Sequence, residues 1–427
     1  MLRYQFTKKL AIFLTSSLLL LLIWDEGAVI WHQHDQLSDG RRSLFSFLTR
    51  ALSSGRSFRR RFIQRHIDSF TPSSHSRRTL CVDQGGFYKG SWVRTPNVTR
   101  PHTHVKLKPH AFTRAELDFR KIYPIEQGWK KYHLPWNEYD FEPHQAACKI
   151  PEWNVTRACQ ILDGALSASR RILFVGDSMS FTMALSFLLM MGGDGIITDQ
   201  SAWKEQAICD EGILPKGPIF VHFIRNDALY VDPTIVKSWK EIPELSKTEM
   251  AGSDFRVSKP WTPYYDESKP ELVILNLGTH IHSTPFFKVL MDEVLSFLSQ
   301  RRAMAVAMGR RPPRILWRTT APGHPECWKH QEPIKAGKER ASPLYEGVYR
   351  DRYTWHLIED MNTYMETRVK EVLGEKDGPT VMRLHDIVKE RADGHLQGDL
   401  GDCLHYHLPG PPDWWTRVFL EVLRELV

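Results

Sequence analysis

No Cys-x-x-Cys pair occurs anywhere in the 427-residue chain, so the usual paired-thiol spacing of a zinc site is missing. No segment repeats at a fixed period, which sets aside solenoid and propeller architectures. No apolar run reaches the roughly 20 residues that a membrane-spanning helix ordinarily needs. The run that comes nearest, 10–24, is a single segment and cannot by itself form a transporter. Neither sign of charge dominates: 57 Lys and Arg stand against 50 Asp and Glu, a net charge of +7. Much of that excess sits at 41–78, as a solvated basic segment or one that meets anionic lipid or glycan. No nucleic-acid partner is expected.

What is present starts with the first residues. Arg3, Lys8 and Lys9 precede the apolar run, and Asp25 and Glu26 follow it. That asymmetry favours a cytoplasmic N-terminus and a translocated remainder. The short run suits a signal-anchor in a thin early-secretory bilayer, or a cleaved signal peptide that would leave the protein secreted. No small-x-small cleavage site follows closely, so the anchor is the expectation. Residues 1–9 are then a cytoplasmic tail, 10–24 a single transmembrane anchor, 25–80 a basic stem and 81–427 a luminal domain. Asn97-Val98-Thr99 and Asn154-Val155-Thr156 are glycosylation acceptors and agree with that topology. The six cysteines permit up to three disulfides in an oxidising compartment, with the pairing left open.

Residues 81–165 show few regular periods and many loop signals, as in an irregular N-terminal lobe. Regular patterning starts near residue 170. Apolar runs at 171–175, 219–223, 272–276, 314–318 and 380–384 read as buried strands. Helical stretches fall between them at 179–191, 286–302 and 353–373. Trp415, Val418, Phe419, Val422, Leu423 and Leu426 form one face of a last helix. Strands alternating with helices predict an α/β fold with a parallel sheet flanked by helices.

Reactive residues in open α/β sheets gather at the carboxyl ends of strands. Ser178 stands there, directly after Val175-Gly176-Asp177. Gly176 permits a tight turn, and Ser178 opens a helix whose N-terminal N–H groups favour a developing oxyanion. A serine in that place also serves simply as a helix cap. A serine nucleophile needs a base, and Asp402-Cys403-Leu404-His405 supplies a histidine with a carboxylate three residues before it. Asp177 is read as fixing the nucleophile turn. The His405/His407 and His280/His282 spacings also admit a metal, but serine acyl transfer needs none, and no metal or bound cofactor is expected.

An early Gly-Asp-Ser with a late Asp-x-x-His is the order of the SGNH, or GDSL, hydrolases. More specifically, the chain resembles the trichome birefringence-like and PC-esterase family of Golgi polysaccharide O-acetyltransferases, over most of its length beyond Cys81. Phe174-Val175-Gly176-Asp177-Ser178 carries the first part of the resemblance. Leu275-Asn276-Leu277-Gly278-Thr279-His280, Trp317 to His324, Arg391-Ala392-Asp393-Gly394-His395 and Asp402-Cys403-Leu404-His405 continue it in order. The resemblance implies an SGNH-like fold and a glycan O-acetyltransferase on the Golgi membrane, single-pass with its catalytic domain luminal. Ser178 is then the acyl-accepting nucleophile, His405 the general base and acid, and Asp402 its orienting carboxylate. Ser178 and Asn276 are oxyanion candidates, Arg318 and His324 candidates for glycan binding, and His395 is structural. An acetyl donor is required, acetyl-CoA or an acetylated intermediate, and a separate membrane protein is a candidate to deliver it. The alternatives are a carbohydrate esterase of the same fold and a non-catalytic glycan-binding member. Tyr406-His407 departs from the Trp-Cys that plant members carry, which removes one family disulfide and leaves Cys403 open to Cys327. Met179-Ser180-Phe181-Thr182-Met183 lacks the polar pattern common after the nucleophile, which leaves the acceptor glycan open.

Overall fold

The computed structural model describes residues 81–95, 138–193, 201–209, 214–235, 250, 257–334, 354–374, 380–395 and 402–427. The expected anchor at 10–24, the stem at 25–80 and Asn97 lie outside these residues. Among the described residues no helix is long and apolar enough to cross a membrane.

In chain order the elements are β1 (Gly90–Arg94), β2 (Tyr139–Pro143), α1 (Val155–Ala165), β3 (Arg171–Gly176), α2 (Ser178–Met190), β4 (Gln206–Ile208) and β5 (Ile219–Arg225). They continue with α3 (Thr262–Ser268), β6 (Leu272–Leu275), α4 (Thr284–Ala307), β7 (Arg314–Arg318), α5 (Ile358–Leu373), β8 (Thr380–Met382), α6 (Leu384–Val388) and α7 (Pro411–Glu425). β1 and β2 pair antiparallel as a small separate sheet. The main sheet runs β4-β5-β3-β6-β7-β8, parallel throughout except for the edge strand β4.

The sequence of β3 explains the layering. Its side chains alternate between faces. Ile172 and Phe174 enter one core with α1, α2 and α7. Leu173 and Val175 enter a second core with α3, α4 and α5. A parallel sheet buried on both faces needs apolar residues at every position, and β3 and β6 supply them. α2 lies beneath α7 and is buried on nearly every side, so its apolar residues do not fall on one stripe. Phe187 of α2 meets Phe419 of α7 edge-on at 5.4 Å and Phe174 of β3 at 5.7 Å. Burying each such ring contributes about 2–3 kcal/mol.

The strand order then fixes where a site can form. From β3 the chain moves to β5 on one side, and later to β6 on the other. The crevice at a reversal of strand order, outside the carboxyl ends, is where such sheets bind ligands. β3 ends at that crevice, and Ser178 follows it. All six cysteines are paired, as Cys81–Cys148, Cys159–Cys209 and Cys327–Cys403.

The five expected strands and the helices α2, α4, α5 and α7 fall close to where the periodicity predicts them, while β4, α3 and α6 are short additions without an expectation. β1 and β2 carry no such signal, since β1 pairs with a strand more than forty residues away in sequence. α1 lies in the stretch read as irregular, although its buried Ala158, Cys159, Leu162 and Ala165 do share one helical face.

Candidate functional site

The turn into α2 is built from three residues. Gly176 has a φ of +156°, and a Cβ there would stand 2.2 Å from Ser180 Oγ. A side chain fits neither that backbone nor that space. Asp177 caps α2, its Oδ1 accepting from the backbone N–H groups of Met179 (2.9 Å) and Ser180 (3.1 Å). The cap leaves the Ser178 N–H as the first-turn donor without a partner among the described residues. It lies at the positive end of the helix dipole, beside its own hydroxyl. Of the two oxyanion candidates, Ser178 therefore keeps a donor at the crevice.

His405 meets Ser178 from the other end of the chain. Its Nε2 lies 2.7 Å from Ser178 Oγ, and its Nδ1 lies 2.8 Å from Asp402 Oδ2. An ionised carboxylate only accepts, so Nδ1 carries the proton and Nε2 accepts from the serine hydroxyl. The other oxygen, Asp402 Oδ1, accepts from the N–H groups of Leu404 (3.1 Å) and His405 (3.0 Å). One carboxylate thus folds the loop and orients the ring. Burial alone would raise the Asp402 carboxyl. The His405 ring and the His405 and Leu404 amides outweigh that and hold it below the ordinary carboxylate range. Ser178, Asp402 and His405 are all partly exposed. The hydroxyl can lose its proton to His405 as it attacks an acyl carbon, and the same ring can return that proton to a leaving oxygen or sulfur and take one from an incoming hydroxyl.

The loop carrying His405 is tied down by distant segments. The Cys327–Cys403 disulfide joins it to the segment after β7. His324 N–H donates to Cys403 O at 3.0 Å, and His407 N–H donates to Gly394 O at 2.9 Å. Tyr406 stacks on His395 at 4.1 Å and donates its hydroxyl to Pro322 O at 3.2 Å.

Three expected roles change. Asn276 ends β6 with its Nδ2 donating to both Arg318 O (3.0 Å) and Thr320 Oγ1 (3.0 Å). Its amide hydrogens join β6 to β7 and are not available to an oxyanion. Arg318 is 1% exposed, and its Nη2 donates to Ser180 Oγ at 3.0 Å and stands 3.6 Å from Asp177 Oδ1. Its guanidinium also lies over the Trp415 ring at 5.4 Å. Burial pulls it down to about 10, against the opposing charge of Asp177, so it stays a cation at neutral pH. It braces the start of α2 from beneath and does not face a glycan. His324 is 5% exposed and is held between Lys389 O and His395, so it too is turned inward. Asn154 is exposed and caps α1, its Oδ1 accepting from Arg157 N–H at 2.8 Å.

Arg225 forks onto Asp227 (2.8 and 3.1 Å) just past β5, a pair the sequence did not single out. Arg391 forks onto Asp393 (2.8 and 2.9 Å) beside the His405 loop, which gives a structural use to the Arg-x-Asp of a block already noted in the sequence. The same Arg-x-Asp spacing is the signal that would have found Arg225 with Asp227.

No curated protein sequence matches the chain closely enough to count as a relative. A family model does: PC-Esterase, described as a GDSL/SGNH-like acyl-esterase family found in Pmr5 and Cas1p, matches residues 160–422. The matched span runs from α1 through α7 and includes the crevice with Ser178, Asp402 and His405. The α/β fold with its mostly parallel sheet, the ordered sequence blocks and the family match agree, and the chain belongs to the PC-esterase family of GDSL/SGNH-like acyl-esterase proteins.

Proposed function

We propose that this protein is a glycan O-acetyltransferase that works through an acetyl-serine at Ser178. The observation that carries the reading is the continuous contact from Asp402 through His405 to Ser178, at 2.8 and 2.7 Å. Ser178 Oγ attacks the acetyl carbonyl of the donor, and His405 Nε2 takes the hydroxyl proton. The developing oxyanion lies by the Ser178 N–H at the start of α2. The donor's leaving group departs with the proton from His405. A sugar hydroxyl then gives its proton to His405 and attacks the acetyl-serine, and His405 returns a proton to Ser178 Oγ as that oxygen leaves. Asp402 keeps the ring in the tautomer that both halves require.

The donor is acetyl-CoA or an acetylated intermediate, and the acceptor a polysaccharide or smaller glycan. The expected Golgi location, anchor and luminal glycosylation at Asn97 and Asn154 belong to the same proposal. Carbohydrate esterase action is the second reading. The partial exposure of Ser178 and His405 favours it, since water can reach an acyl-serine there.

Incubating the purified protein with an acetyl donor and a panel of glycans tests the proposal. Sugar esters that form with the wild type and not with Ser178→Ala support it. Free acetate with no sugar ester replaces it with the esterase reading. Sugar esters formed equally by Ser178→Ala overturn both.

A further inference from the structure

Two buried histidines stand behind the His405 loop in a row. His324 Nε2 lies 2.8 Å from Lys389 O, His324 Nδ1 lies 2.6 Å from His395 Nε2, and His395 Nδ1 lies 3.1 Å from His405 O. Both rings are nearly sealed, at 5% and 0% exposure. The row thus runs from one main-chain carbonyl to another through four ring nitrogens.

Counting protons constrains this row. Carbonyl oxygens only accept, so each end needs a ring N–H, and the contact between the rings needs one more. Three hydrogen bonds require three protons, and two neutral imidazoles carry two. A neutral pair that keeps the hydrogen bond between the rings has two arrangements. In one, His395 donates to His405 O and accepts from His324, which leaves Lys389 O facing a bare nitrogen. In the other, His324 donates to Lys389 O, and His405 O faces the bare nitrogen. An added proton completes all three bonds at once. Burial opposes that proton first, and the charges of neighbouring groups adjust it. It pushes His324 down to about 4, and His395 well below the ordinary histidine value. The groups facing the pair are His330, His385 and Arg391 around His324, and Asp402 and His405 around His395, with Asp393 neutralising Arg391.

We infer that His324 and His395 are positioning residues that hold the His405 main chain through this shared-proton row, and so set the approach of His405 Nε2 to Ser178. The inference rests on the reading of Ser178 and His405 given above. His395 also lies in a bridge with Tyr406, so the row and the backbone pairing act on one segment. The clamp on His405 O is complete in every molecule when the pair carries its third proton, and in a share of molecules when it does not. Positioning therefore tightens as pH falls.

The test uses the full-length chain and its rate of Ser178 modification by a fluorophosphonate, which needs no knowledge of the acceptor. His395→Asn places an N–H donor where Nδ1 stands, without a titrating group. His395→Ala places nothing there. The expected result is that His395→Ala lowers the rate about 10–100-fold in folded protein, because a displacement of about 1 Å at a reacting group costs that much. His395→Asn is expected to keep the rate within a few-fold of wild type at pH 7. The ratio of wild-type to His395→Asn rates should stay level from pH 7 to about 5 and rise as pH falls toward 4, where His324 takes up its proton. Equal rates for His395→Ala and wild type, or a slow His395→Asn that is no better than Ala, overturn the positioning role. A ratio that stays flat down to about pH 4 overturns its dependence on the shared proton. Amide hydrogen exchange at 402–407 provides a readout independent of the chemistry. Exchange there that is unchanged in His395→Ala overturns the clamp even if Ser178 proves unreactive. Faster exchange beside an unreactive wild-type Ser178 supports the clamp and counts only against the acyl-transfer reading.

Discussion

The two halves of the crevice are built in opposite ways. The serine half is local. Gly176, Asp177 and Ser178 form one turn between β3 and α2, and the cap that shapes it spans residues next to one another. The histidine half is assembled from afar. Asp402 folds its own loop, but the loop is placed by Cys327, by Pro322 and His324, and by Gly394 and His395. A rigid strand-to-helix turn presents Ser178, and a loop under several external ties presents His405. Damage to the first should be abrupt, and damage to the second should be graded.

The largest expected effect removes the point where the halves meet. Ser178→Ala should lower acetyl transfer by at least about 10³-fold while the far-ultraviolet spectrum stays unchanged. Asp402→Asn should come next, with a loss of about 10²–10⁴-fold, because the amide favours the wrong histidine tautomer. A kcat that falls with little change in KM is the expected pattern for both.

Disulfides sharpen the comparison. Replacing Cys327 and Cys403 together with Ala, or Cys159 and Cys209 together, should each lower unfolding stability by about 4 kcal/mol, since the spans of 76 and 50 residues are alike in loop entropy. Only the first pair should also slow the folded enzyme, because only it touches the histidine half. Equal activity in the two double variants would break the distinction. On the serine half, Gly176→Ala should cost about 2–3 kcal/mol in denaturant unfolding, from the strained φ and the collision with Ser180.

The smallest effect is the dependence of stability on pH. His324 has its folded value lowered from 6.5 to about 4, so the unfolded chain takes up the proton first. Stability should therefore fall as pH drops from 6.5 toward 4. Asp402 has its folded value lowered below 3.8, so the stability it contributes is full above that pH and is lost further into acid. Denaturant midpoints measured from pH 7 to pH 3 should show the first decline, and His324→Asn should make it shallower without abolishing it, because His395 and His222 are also held low.

This division also explains what the sequence made legible. Strands buried on both faces leave unbroken apolar runs, so β3, β5, β6 and β7 stand out. The nucleophile turn needs glycine, an acidic cap and serine in succession, and that tripeptide is readable on its own. Asp402 and His405 are readable because three residues of chain suffice to join them. Arg318 and His324 misled because a cation and an imidazole near a strand end look available to a ligand. Packing against distant segments, α2 and α7 for Arg318 and Lys389 with His395 for His324, turned both inward. Asn276 misled for a similar reason: the groups that occupy its amide come from β7 and the segment after it, forty residues away. The arrangement of β1 with β2 was hidden too, because pairing across a long insertion leaves no local period.

In the proposed mechanism Ser178 carries the acetyl group between donor and glycan. Its most direct test is peptide mass analysis after rapid acid quenching of a reaction that contains donor and lacks acceptor. One acetyl group is expected on the peptide containing Ser178, lost when glycan is added and never formed in His405→Ala. No acetyl on that peptide, with sugar esters still produced at the wild-type rate, would contradict it.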